Sequence, residues 1–474
     1  MRESGRGGDT VRDWAPPGGD VRGLRAVVVG AARSGIAAAR LLASRGAQVT
    51  LTDLQPALPA QEAIEGAGIR LALGGHEPAL LSAADLVVVS PGVPPRQPAL
   101  EAARAAGVPV IGELEFASRF LSGRLVAITG TKGKSTTTTL AGRMLEAGGH
   151  RVLVGGNIGV PLSDQVAQTA PGVVHVVEAS SFQLETTTRF HPAIAVYLNF
   201  SPDHLDRHAS IADYAAAKAR IFANQERDDH AVVNADDAPV IGEARRGRAQ
   251  LVPFSVSRAV ADGVCVSGGE VCWAGQGGAL DALFPVSSVR LLGRHLLGDV
   301  LAAAAVARLL GVGGEAMRTA VEGFAGLEHA LEPVAEVDGV QFVNDSKATN
   351  VEAARRAIES FASGLVVIMG GRFKGGDLGL LREPLARRAV RVVGIGEARP
   401  LLREALAGAV AVEEAASLRD AVERAAAAAP RGGTVLLAPA CASFDMFRDY
   451  AERGRAFKEE VARLAAAARH VRER

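Results

Sequence analysis

The stretch Ile128-Thr-Gly-Thr-Lys-Gly-Lys-Ser135 decides the fold of this chain. The apolar run Leu125–Ala127 predicts a short strand before it, and the apolar spacing from Leu140 onward predicts a helix after it. A glycine-rich turn between a strand and a helix directs backbone N–H groups and the positive end of the helix dipole at an anion. A lysine and a hydroxyl at the end of such a turn suit phosphate groups and Mg²⁺. The stretch therefore predicts a nucleoside triphosphate site in an α/β domain.

The bulk composition is typical of a large enzyme rather than a nucleic-acid or membrane protein. At about 100–200 residues per domain, 474 residues predict three domains. The 52 basic and 52 acidic residues cancel, so no net field favours nucleic acid or a membrane surface. Aromatic residues make up only 4%, which leaves little surface for stacking bases. No apolar run reaches the roughly 20 residues that cross a bilayer.

The cysteines and the N-terminal segment indicate in which cellular compartment the protein is expected. Cys265, Cys272 and Cys441 show no metal-binding spacing. Cys265 and Cys272 could pair, but reduced thiols in a cytoplasmic protein are the expected state. Residues 1–23 are rich in Gly, Arg and Asp and lack an apolar core, so we expect a disordered tail rather than a signal peptide.

A βαβ pattern opens the first domain. A buried-strand pattern leads into the turn Gly30–Gly35, a helix and a second strand that ends at Asp53. The turn resembles a dinucleotide-binding fingerprint, but Ala32 occupies the position of its second glycine. Nucleotide binding and plain α/β packing therefore both remain open. Because ligands of such sheets lie beyond the strand C-termini, we expect Ser34, Asp53 and Ser90 to converge.

The central domain delivers polar side chains to the sheet edge that carries the phosphate loop. The predicted strand Val173–Val177 ends at Glu178, and a later strand leads into the loop 201–208, which contains His204. A carboxylate beside a phosphate loop suits Mg²⁺, which prefers one or two protein carboxylates and keeps several waters. A surface carboxylate at Glu178 and a simple hydrogen-bonded histidine at His204 remain the structural alternatives.

A third α/β pattern begins near Gly326 and places polar loops after its strands. The loop Asp345–Asn350 follows one strand, Gly370–Asp377 follows the next, and Ala438–Asp445 follows the last. Strands that alternate with helices indicate parallel sheets. The predicted fold class is therefore α/β in three domains: a Rossmann-like N-terminal domain, a central parallel-sheet domain of the P-loop ATPase type, and a Rossmann-like C-terminal domain.

Several long strings of the chain resemble those of the Mur ligase family, the ATP-dependent amide-forming enzymes of peptidoglycan precursor synthesis. The resemblance covers residues 25–460 and, within the family, is strongest to the branch that adds D-glutamate. The Asp-Asn-Pro-Arg motif of the diaminopimelate- or lysine-adding members does not occur in the sequence. The strings are Thr129-Gly-Thr-Lys-Gly-Lys-Ser-Thr136, Gly155-Gly-Asn-Ile-Gly159, Glu178-Ala-Ser-Ser-Phe-Gln183, Asp203-His-Leu-Asp-Arg-His208, Ala216-Ala-Lys218, Asp345-Ser-Lys-Ala-Thr-Asn350 and Pro439-Ala-Cys-Ala-Ser-Phe-Asp445.

The resemblance implies ATP-dependent ligation of D-glutamate to UDP-N-acetylmuramoyl-L-alanine through an acyl phosphate, with two Mg²⁺ ions. Activation is needed because a carboxylate is a poor electrophile, and catalysis of the phosphoryl step is mainly positioning and charge neutralisation. The expected partners are these small-molecule substrates, with no nucleic acid and no membrane, and the expected state is a cytoplasmic monomer. Another Mur-type or folylpolyglutamate-type amide ligase, and a catalytically degenerate nucleotide-binding homologue, are the alternatives.

The resemblance also implies roles for individual residues. Lys134, His204 and Lys218 would be catalytic. Lys218 would be carbamylated, which turns a cation into a carboxylate-like metal ligand, whereas the residues alone predict an exposed helix lysine. The metal ligands would be Ser135, Glu178, His204 and Lys218. The nucleotide would contact Gly130, Thr131, Lys132, Gly133, Lys134, Ser135, Thr136 and Asp299. The other substrates would contact Ser34, Asp53, Ser90, Asn157, Lys347, Thr349, Lys374, Ser443 and Tyr450.

Two places depart from the family pattern. The stretch His295-Leu-Leu-Gly-Asp299 stands where the family usually has His-Asn-x-x-Asn. A carboxylate at Asp299 accepts from the adenine amino group but does not donate, unlike an amide. Ala330 stands where the family usually has an arginine that reaches the nucleotide phosphates, which leaves Arg294 or Arg372 as substitutes. Both departures bear on nucleotide affinity and selectivity.

The strand–helix patterns and the resemblance together divide the chain into four segments. They are a disordered tail at 1–23, a UDP-substrate-binding domain at 24–117, a central ATP-binding domain at 118–325 and a C-terminal amino-acid-binding domain at 326–474.

Overall fold

The computed structural model describes residues 20–59, 61–202, 207–291 and 296–472. These residues form two compact units: one comprises the described residues up to Val289 together with 296–323, and the other comprises 290–291 and 324–472. Within this part of the chain, none of the helices combines the length and apolarity that a membrane span requires.

The first sheet is built from strands that alternate with helices, as its sequence pattern predicts. Its strands form a parallel five-stranded sheet in which the first strand lies between the second and the fourth, so the loops after the first and fourth strands open a crevice at the C-terminal edge. The elements are β1 (Arg25–Val29), α1 (Arg33–Ser44), β2 (Gln48–Asp53), α2 (Gln61–Glu65), β3 (Arg70–Leu73), α3 (Pro78–Ser82), β4 (Leu86–Val89), α4 (Pro98–Ala105), β5 (Val110–Gly112) and α5 (Glu113–Ser118).

The second sheet of the same unit carries the phosphate loop. Its elements are β6 (Arg124–Thr129), α6 (Lys134–Ala147), β7 (Arg151–Gly156), α7 (Leu162–Gln165), β8 (Val173–Glu178), α8 (Ser181–Leu184), β9 (Ile194–Tyr197), α9 (Ile211–Ala219), β10 (His230–Asn234), α10 (Ala238–Ala244), β11 (Gln250–Ser255), β12 (Gly263–Ser267), β13 (Glu270–Ala274), β14 (Leu280–Pro285), α11 (Leu296–Leu309) and α12 (Gly314–Glu322). The strand order is β14-β13-β12-β11-β10-β9-β6-β8-β7, and neighbouring strands are parallel except in the antiparallel pairs β12–β13 and β13–β14. Because β6 lies between β9 and β8, the loops after these three strands meet at one edge.

The second unit contains one six-stranded sheet. Its elements are β15 (Glu332–Val337), β16 (Val340–Asn344), α13 (Val351–Glu359), β17 (Leu365–Gly370), α14 (Arg382–Arg388), β18 (Ala389–Ile395), α15 (Arg399–Ala405), β19 (Val412–Glu414), α16 (Leu418–Ala428), β20 (Thr434–Leu437) and α17 (Tyr450–Arg472). The order is β15-β16-β20-β17-β18-β19, and only β15 is antiparallel to its neighbour. Short 3-10 helices in the two units lie at Val166–Gln168, Arg220–Phe222, Gln276–Gly278, Val286–Ser288 and Leu378–Leu381. Parallel strands dominate all the sheets, which confirms the predicted α/β class.

A buried glutamate joins α5 to the loop that follows α8. The carboxylate of Glu115 is fully buried and accepts hydrogen bonds from the backbone N–H groups of Thr188 (2.8 Å), Arg189 (3.1 Å) and Phe190 (2.9 Å). Arg119, which directly follows the last residue of α5, donates to it from Nε at 2.7 Å. A buried carboxylate is tolerated only while such donors replace its lost hydration.

Replacing Glu115 by alanine should lower the free energy of unfolding by about 3–5 kcal/mol, because the Arg119 guanidinium and the loop N–H groups lose their shared acceptor. Urea denaturation measures this change. Glu101→Ala is the matched control, since Glu101 is an exposed carboxylate that pairs with Arg104, and its loss should cost under about 1 kcal/mol. Equal destabilisation by the two substitutions would contradict the role given to Glu115.

Candidate active site

The phosphate loop lies between β6 and α6. Gly133 precedes α6 with φ +78°, and a Cβ at this position would lie 2.0 Å from Oδ1 of Asp299, so only glycine fits the turn. Asn199, at the end of the neighbouring β9 strand, holds the loop through its side chain: Oδ1 accepts from Lys132 N–H at 2.9 Å, and Nδ2 donates to Lys132 O at 3.1 Å. Asn199 was assigned no role from the sequence.

Lys134 is the first residue of α6, and its side chain lies over the loop. Nζ donates to the carbonyl oxygens of Gly130 and Thr131, each at 3.0 Å. The helix N-terminus, the turn and this ammonium group together form an anion-binding arrangement. Its chemistry suits the terminal phosphates of a nucleotide.

A hydroxyl and a carboxylate meet beside the loop. Ser135 Oγ donates to Glu178 Oε2 at 2.6 Å, and Asn157 Nδ2 donates to Glu178 Oε1 at 2.8 Å. A hydroxyl oxygen next to a buried carboxylate at a phosphate loop is an oxygen donor set that Mg²⁺ accepts. Within the described ranges no cluster of three or more His, Cys, Asp or Glu side chains is arranged to hold a metal ion. His204 lies outside the described residues.

Lys218 lies on α9 and is not the exposed helix lysine that the residues alone predict. Its side chain is 1% exposed, and Nζ donates to Gly130 O at 2.7 Å. The ammonium also lies 4.7 Å from the centre of the Tyr214 ring. The Tyr214 hydroxyl in turn donates to Thr131 Oγ1 at 3.3 Å. These contacts bring Lys218 to the phosphate loop.

A cavity of about 210 Å³ lies between the first sheet's loops and the second sheet's edge, within the first unit. Ser34 and Ser90 line it from the first sheet, and Asn157 lines it from the second. The cavity therefore brings together three of the predicted substrate contacts. Arg33 and Gln183 also line it, and Arg33 Nη1 donates to Gly159 O at 3.1 Å. Neither residue was assigned from the sequence, although Gln183 ends one of the strings that carry the resemblance.

Asp53, by contrast, acts within the first sheet's own loops. Its Oδ2 accepts from Ala31 N–H at 2.6 Å, and its Oδ1 accepts from Gln55 N–H at 2.9 Å. The carboxylate thus shapes the glycine turn after β1. It is not one of the residues that line the 210 Å³ cavity.

Asp299 lies in the first turn of α11 and is buried against the phosphate loop. Burial raises the pKa of its carboxyl group from 3.8 to about 7, and the positive charge of Lys134 opposes this rise. Near neutral pH a large fraction of Asp299 is therefore protonated. A protonated carboxyl both donates and accepts, so the difference from an amide is smaller than the sequence comparison implied.

The raised pKa of Asp299 makes stability depend on pH. Its stabilising contribution is fully present below the unfolded-state pKa near 4 and is lost as pH rises through about 7. Asparagine does not titrate. The free energy of unfolding of Asp299→Asn, relative to that of the wild type, should therefore rise by about 2 kcal/mol as pH increases from 5.5 to 8.5, at about 1.4 kcal/mol per pKa unit. Urea denaturation of the nucleotide-free protein across this range measures the difference. A pH-independent difference between Asp299→Asn and the wild type would contradict the burial argument.

The second unit carries the predicted amino-acid contacts on loops that follow neighbouring strands. Lys347 and Thr349 follow β16, Ser443 follows β20, and Lys374 follows β17. Since β16, β20 and β17 are adjacent in this order, these residues lie at one edge of the sheet. Lys347 and Lys374 are exposed, whereas Ser443 is buried.

Tyr450 begins α17 at the same edge. Its ring meets the ring of His329 edge-on at 6.3 Å between centroids. Nearby, burial raises the pKa of Asp345 to about 7, while the N–H of Leu331 and the charge of Lys347 oppose the rise. Sequence reasoning gave no role to His329.

Arg372 is one of the two arginines that the sequence offers in place of the arginine missing at Ala330. Arg372 pairs with Glu397, with Nη2 3.2 Å from Oε1, and both side chains are exposed. Exposed pairs of this kind are weak, so the pair leaves Arg372 available to exchange partners. Arg294 lies outside the described residues.

Three consecutive segments of the chain match domains of one protein family. Residues 24–112 match the family described as Mur ligase MurD-like, N-terminal domain, residues 128–307 match the Mur ligase middle domain, and residues 331–441 match the Mur ligase glutamate ligase domain. Among solved structures, the chain resembles UDP-N-acetylmuramate–alanine ligase of Thermotoga maritima, with a TM-score of 0.56 and 19% identity over 93% of this chain and 99% of that one. It also resembles a pseudomurein peptide ligase of Methanothermus fervidus, with a TM-score of 0.55 and 18% identity over 93% and 100% of the two chains. These likenesses confirm the predicted fold.

Curated relatives are much more similar in sequence. The chain is 47% identical to the UDP-N-acetylmuramoylalanine–D-glutamate ligase of Acidobacterium capsulatum over 93% of this chain and 97% of that protein. It is 44% identical to the enzyme of the same name from Koribacter versatilis over 94% and 99% of the two chains. With these similarities over nearly the whole length, the chain belongs to the Mur ligase family.

Proposed function

We propose that this protein forms the amide bond between UDP-N-acetylmuramoyl-L-alanine and D-glutamate, with conversion of ATP to ADP and phosphate. The observation that carries the proposal is the hydrogen-bonded chain from Ser135 through Glu178 to Asn157, because it runs from the phosphate loop to the wall of the 210 Å³ cavity. A carboxylate substrate held in that cavity would lie beside the phosphate to be transferred. The relatives named for this reaction cover nearly the whole chain, which supports the same assignment.

In the first half-reaction, an oxygen of the L-alanine carboxylate attacks the γ-phosphorus of ATP, ADP leaves, and an acyl phosphate forms. The loop N–H groups and Lys134 hold the phosphates and neutralise their charge as it shifts toward ADP. Ser34, Ser90 and Asn157 hold the UDP-sugar substrate in the cavity, so its carboxylate is positioned next to the γ-phosphate before the reaction.

In the second half-reaction, the neutral amine of D-glutamate attacks the acyl carbon, and the tetrahedral intermediate expels phosphate while the nitrogen loses a proton. The loops of the second unit suit this acceptor, since ammonium and hydroxyl groups bind carboxylates well. The residues that we assign to acceptor binding are Lys347, Thr349, Lys374, Ser443 and Tyr450.

We assign two Mg²⁺ ions to Ser135, Glu178, His204 and a carbamylated Lys218. Bound magnesium neutralises phosphate charge and polarises the oxygens of the transferring group. Carbamylation joins the Lys218 nitrogen to the carbon of CO₂ with loss of a proton, and the product is an anionic oxygen ligand. The burial of Lys218 beside the phosphate loop favours it, because an unmodified lysine leaves a desolvated cation there. Labelling with ¹³C-bicarbonate should give a carbamate NMR signal in the wild type that Lys218→Ala lacks, and identical spectra would contradict the assignment.

We also propose the three-domain division at 24–117, 118–325 and 326–474, a monomeric state and a cytoplasmic location. The described cysteines Cys265, Cys272 and Cys441 are all free and buried, which supports a reducing compartment. Sedimentation of the purified protein tests the monomer, and limited proteolysis tests the boundaries.

Phosphate release with Mg-ATP and UDP-N-acetylmuramoyl-L-alanine tests the reaction. Parallel assays would contain D-glutamate, L-glutamate, L-lysine, diaminopimelate or no amino acid. We expect release with D-glutamate alone. Phosphate release with another acceptor would identify a different amide ligase of this type. No phosphate release with any acceptor, despite ATP binding, would identify a degenerate nucleotide-binding homologue.

A further inference from the structure

Arg453 is the largest fully buried side chain in the part of the chain that the structure describes. It lies in the first turn of α17, and only 1% of it is exposed. Burial lowers the pKa of its guanidinium group to about 10, so the group stays charged at neutral pH. Removing a full charge from water is costly and requires compensating hydrogen bonds.

The compensating hydrogen bonds of Arg453 reach loops that follow different strands. Nε donates to Ser346 Oγ at 3.0 Å, and Nη2 donates to Ser346 O at 2.9 Å. Nη1 donates to Cys441 O at 3.2 Å and to Gly370 O at 3.5 Å. Ser346 follows β16, Gly370 ends β17, and Cys441 follows β20. One planar guanidinium therefore connects the ends of three adjacent strands.

Each of these loops also carries a residue that we assign to acceptor binding. Lys347 is next to Ser346, Ser443 lies two residues beyond Cys441, and Lys374 lies four residues beyond Gly370. Ser346 Oγ also donates to Tyr450 O at 2.7 Å, which ties the start of α17 to the same network. The relative positions of the acceptor contacts thus depend on a group buried beneath them.

We propose that Arg453 is a positioning residue of the acceptor site: its buried guanidinium fixes the spacing of the loops that carry Lys347, Lys374 and Ser443, and it does so without touching the acceptor. This inference rests on the proposed function for the identity of the acceptor. Lysine cannot replace arginine in this role, because one compact ammonium group cannot span acceptors that a rigid fork of five N–H donors reaches.

The test is a comparison of Arg453→Lys with Arg455→Lys. Arg455 lies on the same helix two residues away and is exposed, so the same chemical change there is a matched control. For Arg453→Lys we expect KM for D-glutamate to rise about 10- to 100-fold, with KM for ATP and for the UDP-substrate within about twofold of the wild type. Arg455→Lys should match the wild type in all three constants.

Ser346→Ala removes the hydroxyl that links Arg453 to Tyr450 and is the second variant. This variant keeps the guanidinium charge in place and should raise KM for D-glutamate by a smaller factor. It tests the inference even if Arg453→Lys does not fold. An unchanged KM for D-glutamate in the folded variants, or an equal rise in all three KM values, would overturn the positioning role. Turnover of the wild type and of Arg455→Lys with D-glutamate tests the proposed function separately, and if another amino acid is the acceptor, its KM replaces that of D-glutamate.

Discussion

Replacement of Lys134 by methionine should lower kcat/KM for ATP-dependent ligation by about 1,000-fold or more. Methionine keeps most of the length of the side chain but removes the ammonium group that lies over the loop carbonyls. Preorganised charges that meet a transferring phosphoryl group contribute several kcal/mol to its transition state, and a loss of about 4 kcal/mol corresponds to this factor. Initial rates of phosphate release at saturating D-glutamate measure it.

Arg143→Met is the control for Lys134→Met, because Arg143 is an exposed cation on the same helix. It should keep the wild-type rate. If Lys134→Met retained more than about a tenth of the wild-type kcat/KM, the loop would not be the site of phosphoryl transfer.

Substitution of Glu178 by glutamine should lower kcat by about 100- to 1,000-fold and raise the Mg²⁺ concentration needed for half-maximal rate. The carboxylate accepts from Ser135 and Asn157 at the same time. An amide offers one acceptor oxygen and an NH₂ group, so one of these two donors loses its partner, and the Mg²⁺ site that we propose loses an anionic ligand. Magnesium titrations of the initial rate measure both effects.

Glu146→Gln is the matched control for Glu178→Gln, since Glu146 is an exposed carboxylate on α6. Its magnesium dependence should equal that of the wild type. An unchanged magnesium dependence in Glu178→Gln would remove Glu178 from the metal site.

The nearness of Ser135 and Glu178 was predictable because it depends only on local patterns. A run of apolar residues predicts each parallel strand, and the C-terminal ends of neighbouring parallel strands share one edge. The polar residues that follow β6 and end β8 are therefore expected to lie together. In the structure, Ser135 Oγ lies 2.6 Å from Glu178 Oε2. The same rule brings Lys347, Lys374 and Ser443 to one edge of the C-terminal sheet.

The buried charges were not predictable in the same way. Glu115, Lys218 and Arg453 occur in helical stretches whose polar residues read as a solvated face, and nothing in the local pattern distinguishes the buried charge from its exposed neighbours. Their burial depends on acceptors or donors far away in the sequence, such as Ser346, which precedes Arg453 by 107 positions. Asp53 shows the reverse case, since its strand-end position was predicted correctly but its carboxylate is occupied by the turn after β1.

In the proposed reaction, the phosphate loop promotes phosphorylation of the carboxylate of the UDP-substrate before the amino acid attacks. The most direct measurement uses UDP-N-acetylmuramoyl-L-alanine labelled with ¹⁸O in its alanine carboxylate, with mass spectrometry of the phosphate released during ligation to D-glutamate. The acyl-phosphate route predicts that one labelled oxygen is transferred to each phosphate, because the bond that breaks in the second half-reaction lies between carbon and that oxygen. Unlabelled phosphate formed together with the ligated product would contradict the account.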